Sequence, residues 1–522
     1  MSEPVADPRE SVEPADRASG YAWYGLGILV LVYILNFVDR QILSILANDI
    51  KRDLDLTDAD LGFLYGTAFG VFYSLFGIPL GRLADNWHRI RLMTLGLALW
   101  SAMTAISGLS RNGMQLSMAR IGVGIGEATA SPAAYSLISD WFPKRLRATA
   151  LAIYSSGLYL GGGLSLFIGG AIVKNWNEAY PDGGPLGLVG WQAAFMAVGI
   201  PGLLLALLVF TLREPVRGAS EGVVTPVADR PFAVFGRELM AILPPLTLIA
   251  AARRGRAALA TNVAVGAIIA AAAFGLIIVT GAVPQWIALG IGFYAVFSWA
   301  SALRAADSAA FGLIWGSRAF VATVVGYSMV AFASYAVSFW AAPYAERMLG
   351  QAKDVAGWWI GGPGALGGFL GVIIGGAISD RLRQRLVQGR LVVVLFGLLA
   401  PVIPLIIAFT TDNILLFYVL NFLLSLFASS ALGAAAATTQ DLVLPRMRGT
   451  ATATFFIGTT MLGLALGPYL AGQVSHMTGD NLSVGVLSIL VAAPVGLVAL
   501  LIAWRALPNA EAKVRALVER SG

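Results

Sequence analysis

The chain has 522 residues, of which 57% are hydrophobic and 12% charged, about half the charge of a soluble domain at roughly 25%, so a water-soluble protein of this size is excluded. Its mean hydropathy of +0.76 fits many membrane crossings of about 20 apolar residues each. The absence of Cys and the presence of only two His exclude a disulfide framework, thiolate metal sites and cysteine nucleophiles, and disfavour a zinc centre. Residues 1–20 mix charges with Pro and Ser and hold no apolar run; they predict a disordered cytoplasmic tail, neither signal peptide nor span. Six apolar stretches follow at about 21–46, 61–84, 91–109, 114–142, 148–173 and 191–212, giving a first bundle over 21–213. A polar linker is expected over 214–256, where 231–256 is either an interfacial helix broken at Pro244 and Pro245 or a solvated connection. Two further stretches, 257–282 and 284–303, form a hairpin without a charged residue, expected to face lipid or to pack outside the transport path. After a cytoplasmic loop at 304–317, a second six lies at 320–343, 355–379, 391–411, 414–443, 449–474 and 482–506, giving a bundle over 318–507 and a tail over 508–522. The expectation is an all-α polytopic membrane protein with fourteen spans.

With the N-terminus in the cytoplasm, the inner loops between the tails carry 21 Lys and Arg residues and the outer loops six. That asymmetry follows the positive-inside rule. The basic surplus therefore reads as orientation, with both termini cytoplasmic, and not as nucleic-acid binding.

The two halves repeat. GRLAD (81–85) has a counterpart in GAISD (376–380), 295 residues later, and SDWFPKRLRATA (139–150) matches QDLVLPRMRGTA (440–451), 301 residues later. Parallel six-helix halves related by an axis along the membrane normal belong to a transporter architecture with its substrate between the halves at mid-membrane. The residues resemble the major facilitator superfamily. Its loop signature between the second and third spans is met by Gly81, Asp85, Arg89 and Arg91, with departures at Asn86 and His88; Asp380 and Arg381 match in the second half. The resemblance implies that Asp85, Arg89, Asp380 and Arg381 act in a cytoplasmic gate, Asp85 facing the start of the eleventh superfamily helix. Gly157, Gly161, Gly162, Gly163, Gly169 and Gly170 resemble the superfamily's glycine-rich antiporter signature, and Gly467 with Pro468 supplies its Gly-Pro pair in the second half.

NFVDRQ (36–41) in the first span, ARIGVGIGEA (119–128) in the fourth and FWAAPY (339–344) in the seventh superfamily helix are similar to the spinster branch of lysolipid and sphingolipid exporters. That likeness implies a bacterial inner-membrane homologue, with Asp39 as proton carrier and a lipid cargo.

Asp39, Arg40, Arg120 and Glu127 sit within apolar spans, where an unpaired charge costs about 2.5–3.5 kcal/mol on insertion scales. Asp39 lies seven residues before the expected outer end of its span, about 10 Å deep, and Arg120 is at similar depth from the other direction, so the two are expected to pair. If a rocking motion parts and rejoins them, protonation of Asp39 couples to access; the alternative is a static ion pair. Glu127, two turns below Arg120 on the same face, reaches the midplane, with Tyr33 and Asn36 at similar depth. Arg40 is expected at a lipid head group, at an outer gate, or snorkelling to the interface. Tyr33, Asn36, Arg40, Glu127, Phe339 and Trp340 form the expected substrate site. No enzyme constellation is present in the sequence. The function expected is secondary transport of an amphipathic lipid by alternating access, proton-coupled, without a cofactor and as a monomer in contact with membrane lipids; the alternative is symport or antiport of small organic anions or drugs, and an intramembrane enzyme or a scaffold ranks last.

Overall fold

The computed structural model describes residues 18–218 and 229–519, and the tail expected at 1–20 lies almost wholly outside them. Among the described residues, thirteen helices are long and apolar enough to cross a membrane. The first half contains α1 (Gly20–Asp53), α2 (Asp58–Asn86), α3 (Arg89–Ser107), the pair α4 (Gly113–Glu127) and α5 (Ala130–Trp141), α6 (Lys144–Ala179) and α7 (Gly190–Phe210). The pair makes one further crossing in two pieces. Pro132 has no N–H to offer the carbonyl four residues back, and the chain turns at Ala128 and Thr129 before restarting. Between the halves lie α8 (Pro231–Ile242), α9 (Leu246–Arg254), the hairpin α10 (Arg256–Thr280) and α11 (Val283–Ala306), and the short α12 (Ser308–Ile314). The second half contains α13 (Arg318–Arg347), α14 (Lys353–Arg385), α15 (Gly389–Ala408), α16 (Ile414–Asp441), α17 (Pro445–Met477) and α18 (Leu482–Glu519).

Both described chain ends lie on one side, together with the arginine-rich loops; this side is called the basic face and the other the far face. At the far face, helices start on side chains that accept from their own first-turn N–H groups: Thr57 for α2, in a reciprocal box with Asp60, Asn112 for α4, Asn413 for α16 and Asn481 for α18. The first span runs two turns past its expected end, because Asn48, Asp49 and Lys51 find partners on neighbouring helices. Asp39 therefore lies 14 residues, about 21 Å, from the far end of α1, at mid-membrane and not in the outer half. The last helix also continues, through Glu519, with Glu511 taking a 2.6 Å bond from Arg383.

The halves meet along two seams. Between α6 and α14, a methyl group on Gly163 would sit 2.7 Å from the Gly361 carbonyl oxygen, so only glycine permits this approach. Between α2 and α17, each helix carries one widened π-type turn, Phe63–Thr67 and Thr459–Leu464. There the Thr67 hydroxyl donates to the Ala465 carbonyl at 2.7 Å, and Gly66 leaves room for the Leu464 carbonyl. The hairpin crosses this second seam: Leu289, Ala295 and Trp299 of α11 pack with Val71 and Leu75 of α2 and with Met461 of α17. Helix α10 presents Ile268, Phe274, Ile278 and Val279 outward. One hairpin helix thus packs and the other faces the bilayer. The segment before it is helical, not a solvated connection: α8 and α9 bend by 94°, and α8 packs against the basic end of α2 through Trp87 and Phe232, ring centroids 5.2 Å apart, with Glu238 3.7 Å from Arg82.

Candidate transport site

Between the halves lies a cavity of about 270 Å³, lined from the first half by Phe37, Arg40, Gln41, Tyr65 and Tyr159 and from the second by Tyr327, Ser334, Tyr335, Ser338, Asn421 and Ser425, with apolar residues between them. Arg40 is the one charged residue in its wall. Helical periodicity explains the lining on α13: residues 327, 331, 334, 338 and 341 recur on one stripe.

Arg40 is fixed from behind. Its guanidinium donates to Glu127 Oε2 at 2.8 Å, joining α1 to α4 in a buried pair, and lies 4.8, 4.5 and 5.1 Å from the ring centroids of Phe37, Phe69 and Tyr73. This arrangement compensates the charge by a carboxylate and by aromatic faces. Snorkelling and an outer-gate position are both ruled out for this conformation. Asn36 lies beside Glu127, but it is buried, as is Tyr33, which stacks on Tyr154 at 4.3 Å; neither lines the cavity.

The expected side-chain pair of Asp39 and Arg120 is not present in this conformation. Arg120 Nη1 donates instead to the backbone carbonyl of Asp39 at 3.2 Å, and the Asp39 carboxylate, wholly buried, has no hydrogen-bond partner. Trp100 and Thr104 of α3 are the hydrogen-bonding side chains facing that carboxylate, yet the indole N–H and the hydroxyl are unpartnered as well. The reason is azimuth. Consecutive residues on a helix point about 100° apart, so Arg40 faces the cavity while Asp39 faces the interior of its own half. Two acids and two arginines nevertheless share the mid-membrane region, formally neutral together.

Phe339 and Trp340 are fully buried and form a roof, not a wall. Phe339 stacks on Tyr65 at 4.5 Å and the Trp340 indole donates to the Pro468 carbonyl at 2.9 Å. Gln41 closes the same roof, donating to the Ser338 carbonyl at 2.7 Å and accepting from the Tyr65 hydroxyl at 2.8 Å.

Above the roof a polar network joins the halves. The buried Asp58 carboxylate accepts from Arg347 at 2.7 and 2.9 Å, from Ser475 at 2.7 Å and from Lys51 at 2.9 Å. Lys353 reaches Asp49 at 3.2 Å and Lys174 reaches Asp354 at 2.8 Å. The far face is closed. Sequence reasoning missed this network by treating 48–58 as an outer loop; the signal was present as DIKRD beside a capped DAD.

The four expected gate residues do not bridge the halves here. Arg89 is buried and pairs within its own half, with Asp140 and, at 2.7 Å, with Glu214. Arg390 pairs with Asp441 in the same manner, 301 residues further on, which repeats the first contact in the second half. Asp85 sits among Arg82, Arg217 and Arg89 of its own half; Asp380 is exposed, 3.8 Å from Arg390, and Arg381 is exposed. Tyr159, Tyr327, Tyr335, Asn421 and Ser425 were missed in the cavity wall, although a lone Asn in ILLFYVLNFLLSLF was a legible signal.

Comparison with known proteins agrees with this architecture. The family model "Major Facilitator Superfamily" matches residues 29–327 and 323–521. The chain is 26% identical over 465 residues to an "MFS-type efflux pump" of Mycolicibacterium smegmatis, covering 88% of this chain and 86% of that protein. It is 25% identical over 468 residues to "Protein spinster homolog 1" of Xenopus tropicalis, covering 86% and 72%. Among solved structures, a bacterial homologue of the human lysosomal transporter Spinster, described as inward-facing and occupied, superposes with a TM-score of 0.70 at 23% identity, covering 95% of this chain and 99% of that one. The fold and the relatives are those of transporters and not of enzymes. With two repeated six-helix halves around a central cavity and a family model that matches nearly the whole chain, this protein belongs to the Major Facilitator Superfamily.

Proposed function

We propose that this transporter moves an amphipathic lipid of lysophospholipid or sphingoid type by alternating access, coupled to protons, in a bacterial inner membrane with both termini cytoplasmic. The observation that carries the reading is the cavity wall: one cation, Arg40, held by Glu127, among apolar and aromatic side chains. A phosphate-bearing head meets Arg40, and a tail meets Leu158, Leu166, Val330 and Leu424. The likeness to spinster relatives supports the same cargo class. In this reading the basic face is cytoplasmic, the conformation is closed to the outside, and Asp85, Arg89, Asp380 and Arg381 come together only when the opposite face closes. Asp39 is the proton carrier: it is buried without a hydrogen-bond partner, and Arg120, which donates to its backbone carbonyl, is near enough to take the carboxylate instead when α1 and α4 shift within the first half. No cofactor is required beyond the proton gradient, and the protein acts as a monomer.

The second reading, transport of a small organic anion or drug, is favoured by the tyrosine, serine and asparagine side chains that the second half contributes to the cavity wall. Flux into sealed proteoliposomes under an imposed pH gradient separates the two. Uptake that rises with tail length in a lysophospholipid series supports the lipid; saturable uptake of small carboxylates alone removes it.

A further inference from the structure

The inserted elbow and hairpin hold a second polar cluster, remote from the cavity. On α9, Thr247 and Arg254 lie seven residues apart and face α11, where Tyr294 and Ser301 are also seven apart. The rungs close: the Thr247 hydroxyl is 3.3 Å from the Tyr294 hydroxyl, and Arg254 Nη1 donates to Ser301 at 3.2 Å. Between them lies Ser298, fully buried with an unpartnered hydroxyl, and Arg254 Nη2 is unpartnered too. Gly266 of α10 packs against the Tyr294 ring. One turn nearer the basic face on α10, Asn262 is fully buried with a free carbonyl oxygen. Arg253, Arg256 and Arg304 stand exposed around the same end. Among the described residues none of these four arginines has an acidic partner: Glu238 is taken by Arg82, and Asp307 caps α12.

A half-buried guanidinium whose Nε is held by the Ala250 carbonyl at 3.4 Å and whose Nη2 is unpartnered, near hydroxyls and three further arginines and lacking a carboxylate, fits a phosphodiester oxygen. The surroundings fit a tail. Ile249 of α9 is exposed, as are Val263, Ile268 and Phe274 along α10, the apolar helix that begins two residues after Arg254. We propose that the junction of α9, α10 and α11 binds an anionic phospholipid of the leaflet at the basic face, with its phosphate on Arg254 and Ser301 and its acyl chains along α10. Since α11 crosses the seam between α2 and α17, this lipid fastens the strap that spans both halves.

The test is native mass spectrometry of the full chain released from nanodiscs of mixed phosphatidylglycerol and phosphatidylcholine. The wild type retains phosphatidylglycerol preferentially. Arg254→Gln lowers that retention by about fivefold or more, consistent with the loss of one well-placed cation, whereas Arg446→Gln, an exposed arginine of the basic face in the other half, leaves it unchanged. Equal retention by wild type and Arg254→Gln, no preference over phosphatidylcholine, or an equal loss caused by Arg446→Gln would each overturn the site. Displacement by millimolar inorganic phosphate alone also overturns it, because a lipid held by its tails resists a free anion. Should Arg254→Gln fail to elute as a single species, the exposed triple variant Arg253→Gln, Arg256→Gln, Arg304→Gln decides the matter: weaker and less salt-dependent phosphatidylglycerol retention supports the site, and unchanged retention refutes it.

Discussion

Asp58→Asn should release the far face. The Asp58 carboxylate is fully buried and receives four hydrogen bonds from three side chains. Lys51 belongs to the same half as Asp58 and keeps its contact in any rigid-body rocking; Arg347 and Ser475 belong to the other half and lose theirs when the far face opens. The amide keeps the shape but not the charge, so the variant weakens only what the closed state gains. Breaking a fully buried pair costs about 3–5 kcal/mol. Because the Arg347 and Lys51 side chains are each 20% exposed, water screens part of this, and about 2 kcal/mol is the reasonable share. At about 1.4 kcal/mol per factor of ten, the ratio of far-open to far-closed molecules rises roughly 30-fold. The chain has no Cys, so a single Ala341→Cys beneath the roof reports cleanly. Its labelling by an impermeant maleimide applied from the far side of sealed vesicles should accelerate in Asp58→Asn by up to that factor, and not in the exposed control Asp55→Asn. An unchanged rate in a monodisperse Asp58→Asn protein would refute the assignment of this network as the closing contact.

Asp39→Asn should abolish the response of transport to a pH gradient while leaving the protein folded, since an amide fills the same buried space but exchanges no proton; a retained response removes Asp39 as carrier. Asp140→Asn should lower the melting temperature more than Asp441→Asn, because the Arg89–Asp140 side chains are 0% and 11% exposed against 18% and 37% for Arg390–Asp441; an equal or larger loss in Asp441→Asn would show that burial does not set the strength of the repeated pair. Excision of 257–303 with a soluble linker should leave transport measurable, because lipid tails can cover Val71, Leu75 and Met461 nearly as well as α11 does; complete inactivity of a membrane-inserted deletion contradicts this.

The architecture was legible because a membrane enforces it. Each span must satisfy its own backbone, so about 20 apolar residues mark a crossing, and arginine placement with the repeats at offsets of 295 and 301 orders the halves. The side-chain partners were less legible. Depth counted along the helix placed Asp39 level with Arg120, but depth says nothing of azimuth, and it is the next residue, Arg40, that faces the cavity and pairs with Glu127 behind it. Counting also began from the wrong end, because Asn48 to Asp53 read as loop. Five polar residues around Ile50 extend a membrane helix only if other helices bring their counter-charges, and Arg347, Lys353 and Glu346 are about 300 residues away. Phe339 and Trp340 failed as cavity residues for the same reason as Asp39: the motif names the helix but not the stripe that faces inward.

The distribution of ion pairs says what must move. Arg89–Asp140 and Arg390–Asp441 tie the basic-face loops within each half, so each half can travel as a rigid body without breaking them. Contacts that cross between halves are of two kinds. At the far face they are charged side chains, Asp58 with Arg347, Asp49 with Lys353 and Lys174 with Asp354, which can separate and rehydrate. At mid-membrane they are backbone approaches at Gly163 and Gly361 and at Gly66 against the Leu464 carbonyl, between the facing π-type turns of α2 and α17, beside the Tyr65–Phe339 stack and the Gln41–Ser338 hydrogen bond. On the proposed alternating-access cycle, rotation about those approaches is what would separate the far ends and close the basic ends. Arg40 and Glu127 belong to one half, so rigid rocking would leave their pair intact. Asp39 and Arg120 differ because the Arg120 guanidinium holds only a backbone carbonyl, and a modest change in the α1–α4 angle suffices to exchange it for the carboxylate. The proton-coupling hypothesis therefore requires bending within the first half in addition to rigid rocking. Its place is the turn at Ala128 and Thr129, directly after Glu127. Replacing Pro132 by Ala restores the missing N–H and straightens the crossing; it should slow pH-driven transport while leaving cargo exchange at equal pH intact, and equal slowing of both would locate the coupling elsewhere.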